Sequence, residues 1–279
     1  MPAPSTNASR GVDSHCHVFD TARFPYSPDA TYRPPEHEQG TPSQFSAVLD
    51  AHGMSHALLV SPTSGYLYDN RCMIAAVKES KGRFKGIARV RPEIDDRSLA
   101  ELRDAGVVGF RVDLVADGVA WLDQPVAKRL LARAREMQWL VQVQCERDQL
   151  HEAASILRAA RVRLIFDHCG RPDAALGVDQ PGFKALLDFG REGQHVKLSG
   201  AFRFFNAFSP QARVEPFVEA LLETFTLRRC VWGSDWPFLR MSMRMDYGPV
   251  LASLERWIPD ERERRQVLWD TPARLFGFS

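Results

Sequence analysis

The sequence predicts an α/β fold, a single-domain (β/α)8 TIM barrel, and three observations carry that prediction. Eight short runs of apolar and β-branched residues recur along the chain, each with the character of a strand buried on both faces. Segments with apolar residues at helical spacing separate them. No tract rich in proline, serine and glycine divides the chain, so strand and helix alternate through one domain, and eight alternations are what a closed parallel barrel requires. That domain is placed at residues 11–279, behind a polar leader at residues 1–10. A length of 279 residues is within the range of single-domain barrels.

The first run, VDSHCHVF (12–19), sets His15 and His17 two positions apart. A strand alternates faces, so the two imidazoles point one way and Cys16 the other, toward the helices. The segment at 21–41, TARFPYSPDATYRPPEHEQGT, is far longer than the 2–6 residues of an ordinary βα connection and reads as an active-site loop. Phe45, Val48 and Leu49 begin the first helical pattern, and HALLVSP (56–62) is the second run. Asp69 and Asn70 then open a helix carrying Ile74 and Val77. The third run is FKGIARVRP (84–92), followed by Leu99 and Leu102. Gly53, Gly82 and Gly106 stand where helix C-caps belong.

The fourth run, VVGFRVDL (107–114), offers Arg111 and Asp113; the fifth, LVQVQCE (140–146), offers Gln142 and Gln144. LIFDHCG (164–170) ends on Asp167 and His168, and HVKLSG (195–200) presents Lys197 and Ser199. Helical spacing links these runs through Leu130, Leu131 and Ala134, through Leu150, Ala154 and Leu157, and through Phe217, Leu221 and Leu222. The eighth run, CVWGSDWP (230–237), sets Asp235 between Trp232 and Trp236, which read as core and pocket walls. Residues 262–279, with Val267, Leu268, Leu275 and Phe276, form a last helix closing the barrel.

Composition excludes several classes of partner. A net charge of +1 with 25% charged residues leaves no basic excess to hold nucleic acid or anionic lipid. No apolar run approaches the ~18 residues of a membrane span and the leader has no hydrophobic segment, so a cytoplasmic location is expected. The five cysteines are odd in number and lack CxxC spacing, which points to buried free thiols.

In a barrel of this kind the site is built at the C-terminal ends of the strands. There His15, His17, His168 and Asp235 converge, since the eighth strand neighbours the first. Hydrolysis of an ester or lactone needs a base to take a proton from water and donors for the developing oxyanion. Asp235 suits the first role and the three imidazoles the second. Arg111, Arg171 and Arg203 ring the same mouth, where a guanidinium fork matches a carboxylate, and Gln144 is a further hydrogen-bonding candidate. Structural alternatives stand beside these roles: Asp235 as a cap with Ser234, Arg111 in an ion pair with Asp113 or Glu146, Arg171 holding a loop, Arg203 solvated, and Gln144 satisfying backbone groups. His52, His56, His151 and His195 read as structural.

The motifs DSHCH, DHCGRPD, KLSG and WGSDWP, in this order at strand ends, resemble the amidohydrolase superfamily and within it the lactonase branch. The resemblance spans about Val12 to Phe276. It implies hydrolytic chemistry at the histidines and Asp235. Most members bind one or two divalent metals through the HxH pair, a strand-4 lysine or carboxylate, histidines of strands 5 and 6, and the strand-8 aspartate. Here strand 4 presents Arg111, which cannot ligate, and strand 5 presents glutamines. The branch shares these losses and is known for metal-free hydrolysis, so no cofactor is expected; the alternative is one zinc at His15, His17, His168 and Asp235. The branch holds substrate carboxylates on arginines matching Arg111, Arg171 and Arg203, but an arginine expected just after strand 4 is absent where this loop reads LVADGV from Leu114.

The expected function is a hydrolase opening a carboxylated lactone in aromatic- or sugar-acid catabolism, with a small anionic substrate as its partner. The alternatives are a zinc-dependent amidohydrolase or decarboxylase, a lactone isomerase, and a non-catalytic barrel that binds organic acids.

Overall fold

A computed structural model describes residues 10–204 and 213–279. Its eight strands are β1 (Val12–Cys16), β2 (His56–Val60), β3 (Phe84–Ala88), β4 (Val107–Asp113), β5 (Leu140–Gln144), β6 (Arg163–Phe166), β7 (His195–Ser199) and β8 (Cys230–Gly233). They form one parallel sheet in the order β1 through β8. Backbone bonds from Asp235 N to the His15 carbonyl at 2.7 Å and from His17 N to the Trp236 carbonyl at 2.8 Å join the last strand to the first. The expected (β/α)8 barrel is the observed fold.

Helices return each strand to the next, and the sequence signals act where expected. Gly53, Gly82 and Gly106 follow the helices after β1, β2 and β3 with φ of +68°, +95° and +93°, values that a side chain would strain. The tail folds as helical turns from Glu261 to Phe276. Its Leu275, Phe276 and Phe278 pack on an inner apolar cluster with Val12, Leu140, Ile165 and Val231, which fills one end of the barrel. A larger apolar layer lies between strands and helices and contains Cys16, Phe45, Phe110, Phe166, Leu198 and Trp232. All five cysteines are buried free thiols.

Two local features aim the functional side chains. Val12 and Cys16 would share a face in a regular strand, yet Val12 packs inside the barrel and Cys16 outside. The register of β1 against β2 shifts between Asp13 and Cys16, and this irregularity turns His15 and His17 inward. Gly233 then lets β8 approach β1, because a β-carbon there would stand 2.7 Å from His15 N. Every strand ends before its apolar run does, and two of these ends bear on the site. β3 stops at Ala88, and β6 stops at Phe166, so Asp167 and His168 lie in the turn beyond it. Of the predicted leader, Arg10 alone falls among the described residues. Among those residues no helix is long and apolar enough to cross a membrane.

Candidate active site

Asp235 sits past the end of β8 in a left-handed conformation (φ +63°), with its side chain 1% exposed. Three imidazole Nε2 atoms surround its carboxylate. His15 and His17 stand 3.8 and 3.5 Å from Oδ1, and His168 stands 3.7 Å from Oδ2. Arg203 donates through Nε to Oδ2 and through Nη1 to the Leu239 carbonyl at 3.3 Å. Burial alone would raise the carboxyl pKa, but the surrounding groups, the Arg203 guanidinium first among them, outweigh it and hold Asp235 well below the usual carboxylate range. The carboxylate is ionised.

The far side of each ring fixes what its Nε2 presents. His17 Nδ1 meets the Val60 carbonyl at 2.7 Å and His15 Nδ1 meets Asp167 Oδ1 at 3.1 Å. The Val60 carbonyl only accepts, so His17 Nδ1 carries the proton and a neutral ring turns an Nε2 lone pair toward Asp235. His15 Nδ1 lies between an acceptor, Asp167, and a donor, the Lys197 ammonium at 3.2 Å, so either tautomer of His15 finds a partner there. His168 Nδ1 meets the Ser199 hydroxyl at 3.0 Å, which donates or accepts, so His168 can offer Nε2–H while neutral. Burial, with Lys197 nearby, keeps His15 well below its ordinary pKa, and burial takes His168 down to about 3 against the pull of Asp235 and Asp167.

Beneath His15 lies a buried polar cluster. Lys197 Nζ donates to Gln142 Oε1 at 2.6 Å and stands 3.3 Å from Asp167 Oδ1, while Gln142 Nε2 donates to Asp167 Oδ2 at 2.8 Å. Burial lowers Lys197 to about 8, partly offset by Asp167; the same burial would raise Asp167, but Lys197 and His15 hold it well below the usual range. The ion pair is therefore charged at neutral pH.

Above Asp235 opens a cavity of about 410 Å³. Its lining includes His17, Arg111, Gln144, His168, Arg171, Arg203 and Asp235, and His15 underlies it. All eight predicted site residues thus converge. The loops after β1, β2 and β4 contribute Thr31 and Tyr32, Pro62 to Ser64, and Val115 and Ala116, as the long first loop led us to expect.

Several of the structural alternatives differ from the pairings observed. Arg111 pairs with Asp167 (Nε to Oδ2, 3.4 Å) rather than with Asp113 or Glu146. Asp113 is taken by Arg89 at 3.0 Å and Glu146 by Arg171 at 2.9 Å. Arg203 is bound to Asp235 and is not simply solvated. Asp235 caps no helix, and Trp236 leaves the cavity to stack on Phe45 at 4.8 Å. Sequence reasoning gave no role to Arg89, to Arg240, which also lines the cavity, or to the union of Gln142, Asp167 and Lys197. The period-two placement of Gln142 and Lys197 on facing strands was a usable signal for the last.

A parallel barrel with an HxH pair on β1 and an aspartate after β8 defines a hydrolase scaffold of the amidohydrolase type. The amidohydrolase family profile matches residues 12–278, and the chain belongs to that family. It is 32% identical over 278 residues to a 2-pyrone-4,6-dicarboxylate hydrolase of Comamonas testosteroni, covering 95% of this chain and 89% of the relative. It is 33% identical over 271 residues to a 4-sulfomuconolactone hydrolase of Rhizobium radiobacter, with the same coverage of 95% and 89%. Among solved structures, a probable 2-pyrone-4,6-dicarboxylic acid hydrolase from Acinetobacter baumannii with citric acid bound superposes with a TM-score of 0.86 at 26% identity, over 96% of this chain and 99% of that one.

Proposed function

We propose that this protein is a hydrolase that opens a carboxylated lactone, with Asp235 as the base. The observation that carries the reading is the pair of orphaned polar atoms at the cavity floor: Asp235 Oδ1 and His15 Nε2 are buried without a hydrogen-bond partner. Buried polar atoms of this kind call for a partner. A water there gives one proton to Oδ1 and the other to an Nε2, which turns its lone pair up into the cavity. The water oxygen attacks the lactone carbonyl as Asp235 takes its proton. His168, whose Nε2 can carry a proton while the ring is neutral, is suited to donate to the oxyanion. Collapse breaks the ring C–O bond, and the proton returns from Asp235 to the departing oxygen. Arg111, Arg171, Arg203 and Gln144 hold the substrate carboxylate, in keeping with the acidic substrates named for the relatives. The buried thiols suit a reducing, cytoplasmic setting.

The test is a screen of carboxylated 2-pyrones and muconolactones, following acid release in weakly buffered indicator. Asp235→Asn is expected to bind substrate, keep its fold and lose two or more orders of magnitude in turnover, the range for removing a general base. Turnover near wild type would refute the assignment.

A specific observation also supports a metal-bound reading. His15, His168 and Asp235 each offer a ligand atom within 4.8 Å of the others, and two of those residues carry the orphaned atoms just named. The donor set fits one small divalent ion, held by these three residues without the fourth expected ligand, His17. Such an ion would supply Lewis-acid polarisation. We favour the metal-independent reading because Arg203 already occupies one oxygen of Asp235 and β5 supplies glutamine where a ligand would stand. Activity is expected to survive exhaustive chelation; stoichiometric zinc whose removal abolishes turnover would reverse the preference.

A further inference from the structure

Three of the four arginines that line the cavity are matched by a carboxylate: Arg111 by Asp167, Arg171 by Glu146 and Arg203 by Asp235. The fourth, Arg240, has no acidic side chain within ion-pair distance among the described residues. It is nonetheless held in place. Its guanidinium lies over the Tyr32 ring at 4.1 Å, and its backbone N–H donates to Glu38 Oε2 at 3.1 Å. The Tyr32 hydroxyl donates to the same Glu38 oxygen, so one carboxylate ties the ring and the Arg240 backbone together. Arg203 bonds the carbonyl of Leu239, which fixes the residue just before Arg240 to the catalytic end of the site.

A guanidinium held over an aromatic face leaves outward N–H donors for a ligand, and those donors match a carboxylate or sulfonate in two parallel bonds. The loop after β4 lines the cavity with Val115 and Ala116 and offers no charge of its own there. We propose that Arg240, stacked on Tyr32, is a specificity-determining residue that binds a second acidic group of the substrate at the outer rim, remote from the scissile ester. The inference rests on the proposed lactonase reading and deepens it: the preferred substrate is a ring with two anionic substituents. The inner one goes to Arg111, Arg171 and Arg203. The outer one goes to Arg240.

Calorimetric binding tests this without requiring turnover. Benzene-1,3-dicarboxylate and benzoate serve as unreactive dianionic and monoanionic probes on the full chain. Wild type is expected to bind the dianion at least about tenfold tighter, the value of one charge-assisted contact of about 1.5 kcal/mol or more. Arg240→Gln should remove most of that advantage while changing benzoate binding by less than about threefold. Tyr32→Leu should remove part of it by releasing the guanidinium. Equal weakening of both probes, or an undiminished dianion advantage in Arg240→Gln, would overturn the proposal. Dianion selectivity lost in Arg240→Gln, in a protein that opens no lactone, would support the rim site and refute only the hydrolase reading.

Discussion

Replacing Lys197 by methionine tests whether the polar cluster under His15 acts as a unit. The ammonium is fully buried and contacts Gln142 Oε1 at 2.6 Å, His15 Nδ1 at 3.2 Å and Asp167 Oδ1 at 3.3 Å. Lys197→Met leaves Asp167 as a buried carboxylate with reduced compensation. Removing one partner of a buried ion pair costs about 3–5 kcal/mol. The lower end applies here, because Arg111 Nε at 3.4 Å, His15 Nδ1 at 3.1 Å and Gln142 Nε2 at 2.8 Å still face Asp167. About 3 kcal/mol, at roughly 2–4 °C per kcal/mol for a chain near this size, lowers the melting temperature by roughly 6–12 °C. Thermal melts followed by near-ultraviolet circular dichroism read the change. The double variant Lys197→Met with Asp167→Asn should cost clearly less than the sum of the single changes, since the uncompensated charge is then gone. A shift below about 2 °C for Lys197→Met, or strict additivity in the cycle, would refute the coupling.

Two further outcomes follow from the same geometry. Arg111→Lys should raise KM for an anionic lactone by more than about tenfold, because an ammonium cannot replace a bidentate guanidinium; steady-state kinetics with unchanged KM would return Arg111 to a purely structural partner of Asp167. Asp13, buried within β1 and bonded by Ser234 N at 2.9 Å and the Tyr247 hydroxyl at 3.1 Å, is raised by burial from 3.8 to about 6 despite those hydrogen bonds. A raised carboxyl binds protons more tightly folded than unfolded, so its contribution is complete below about pH 4 and is lost as pH rises through about 6. At about 1.4 kcal/mol per pH unit the loss is about 3 kcal/mol. Urea titrations of wild type and Asp13→Asn should therefore diverge across that interval, with Asp13→Asn gaining relative stability at the higher pH. Parallel stability curves would exclude an ionising Asp13.

The barrel was legible because strand alternation and helical spacing are repeated eight times, and each repeat reinforces the same period. The convergence of His15, His17, His168 and Asp235 followed from topology alone, since β8 must close on β1. What the chain does not announce is which cation meets which anion. Arg111 lies two residues from Asp113 in sequence, yet Asp113 turns to Arg89 and Thr63 while Arg111 turns inward to Asp167. That choice is made by the barrel's curvature and by facing strands, which no local pattern encodes. The irregularity in β1 was hidden for a similar reason. A period-two reading started at Val12 would have sent His15 outward, and the inward aim depends on a register shift set by pairing with β2. Arg240 follows a turn in which Asp235, Phe238 and Arg240 all take positive φ, so its placement over Tyr32 depends on backbone geometry that the sequence WPFLR does not specify.

The polar side chains of the site form one continuous chain of contacts through the barrel, from Lys197 and Gln142 to Asp167, then His15, then Asp235, then Arg203 and the Leu239 carbonyl. A cation stands beside each carboxylate, Lys197 beside Asp167 and Arg203 beside Asp235, with the imidazole of His15 between the two. Each carboxylate therefore stays ionised although both are buried, which burial alone would prevent. The arrangement keeps Asp235 charged at the expense of basicity, so in the proposed hydrolysis a proton taken up by Asp235 would be held weakly and readily returned to the leaving oxygen. Along that chain the buried polar atoms left without a partner are His15 Nε2 and Asp235 Oδ1, and they are neighbours. The contacts of the rest of the chain hold those two in place. The position between them and the cavity is where a reacting molecule completes the hydrogen bonding of the fold.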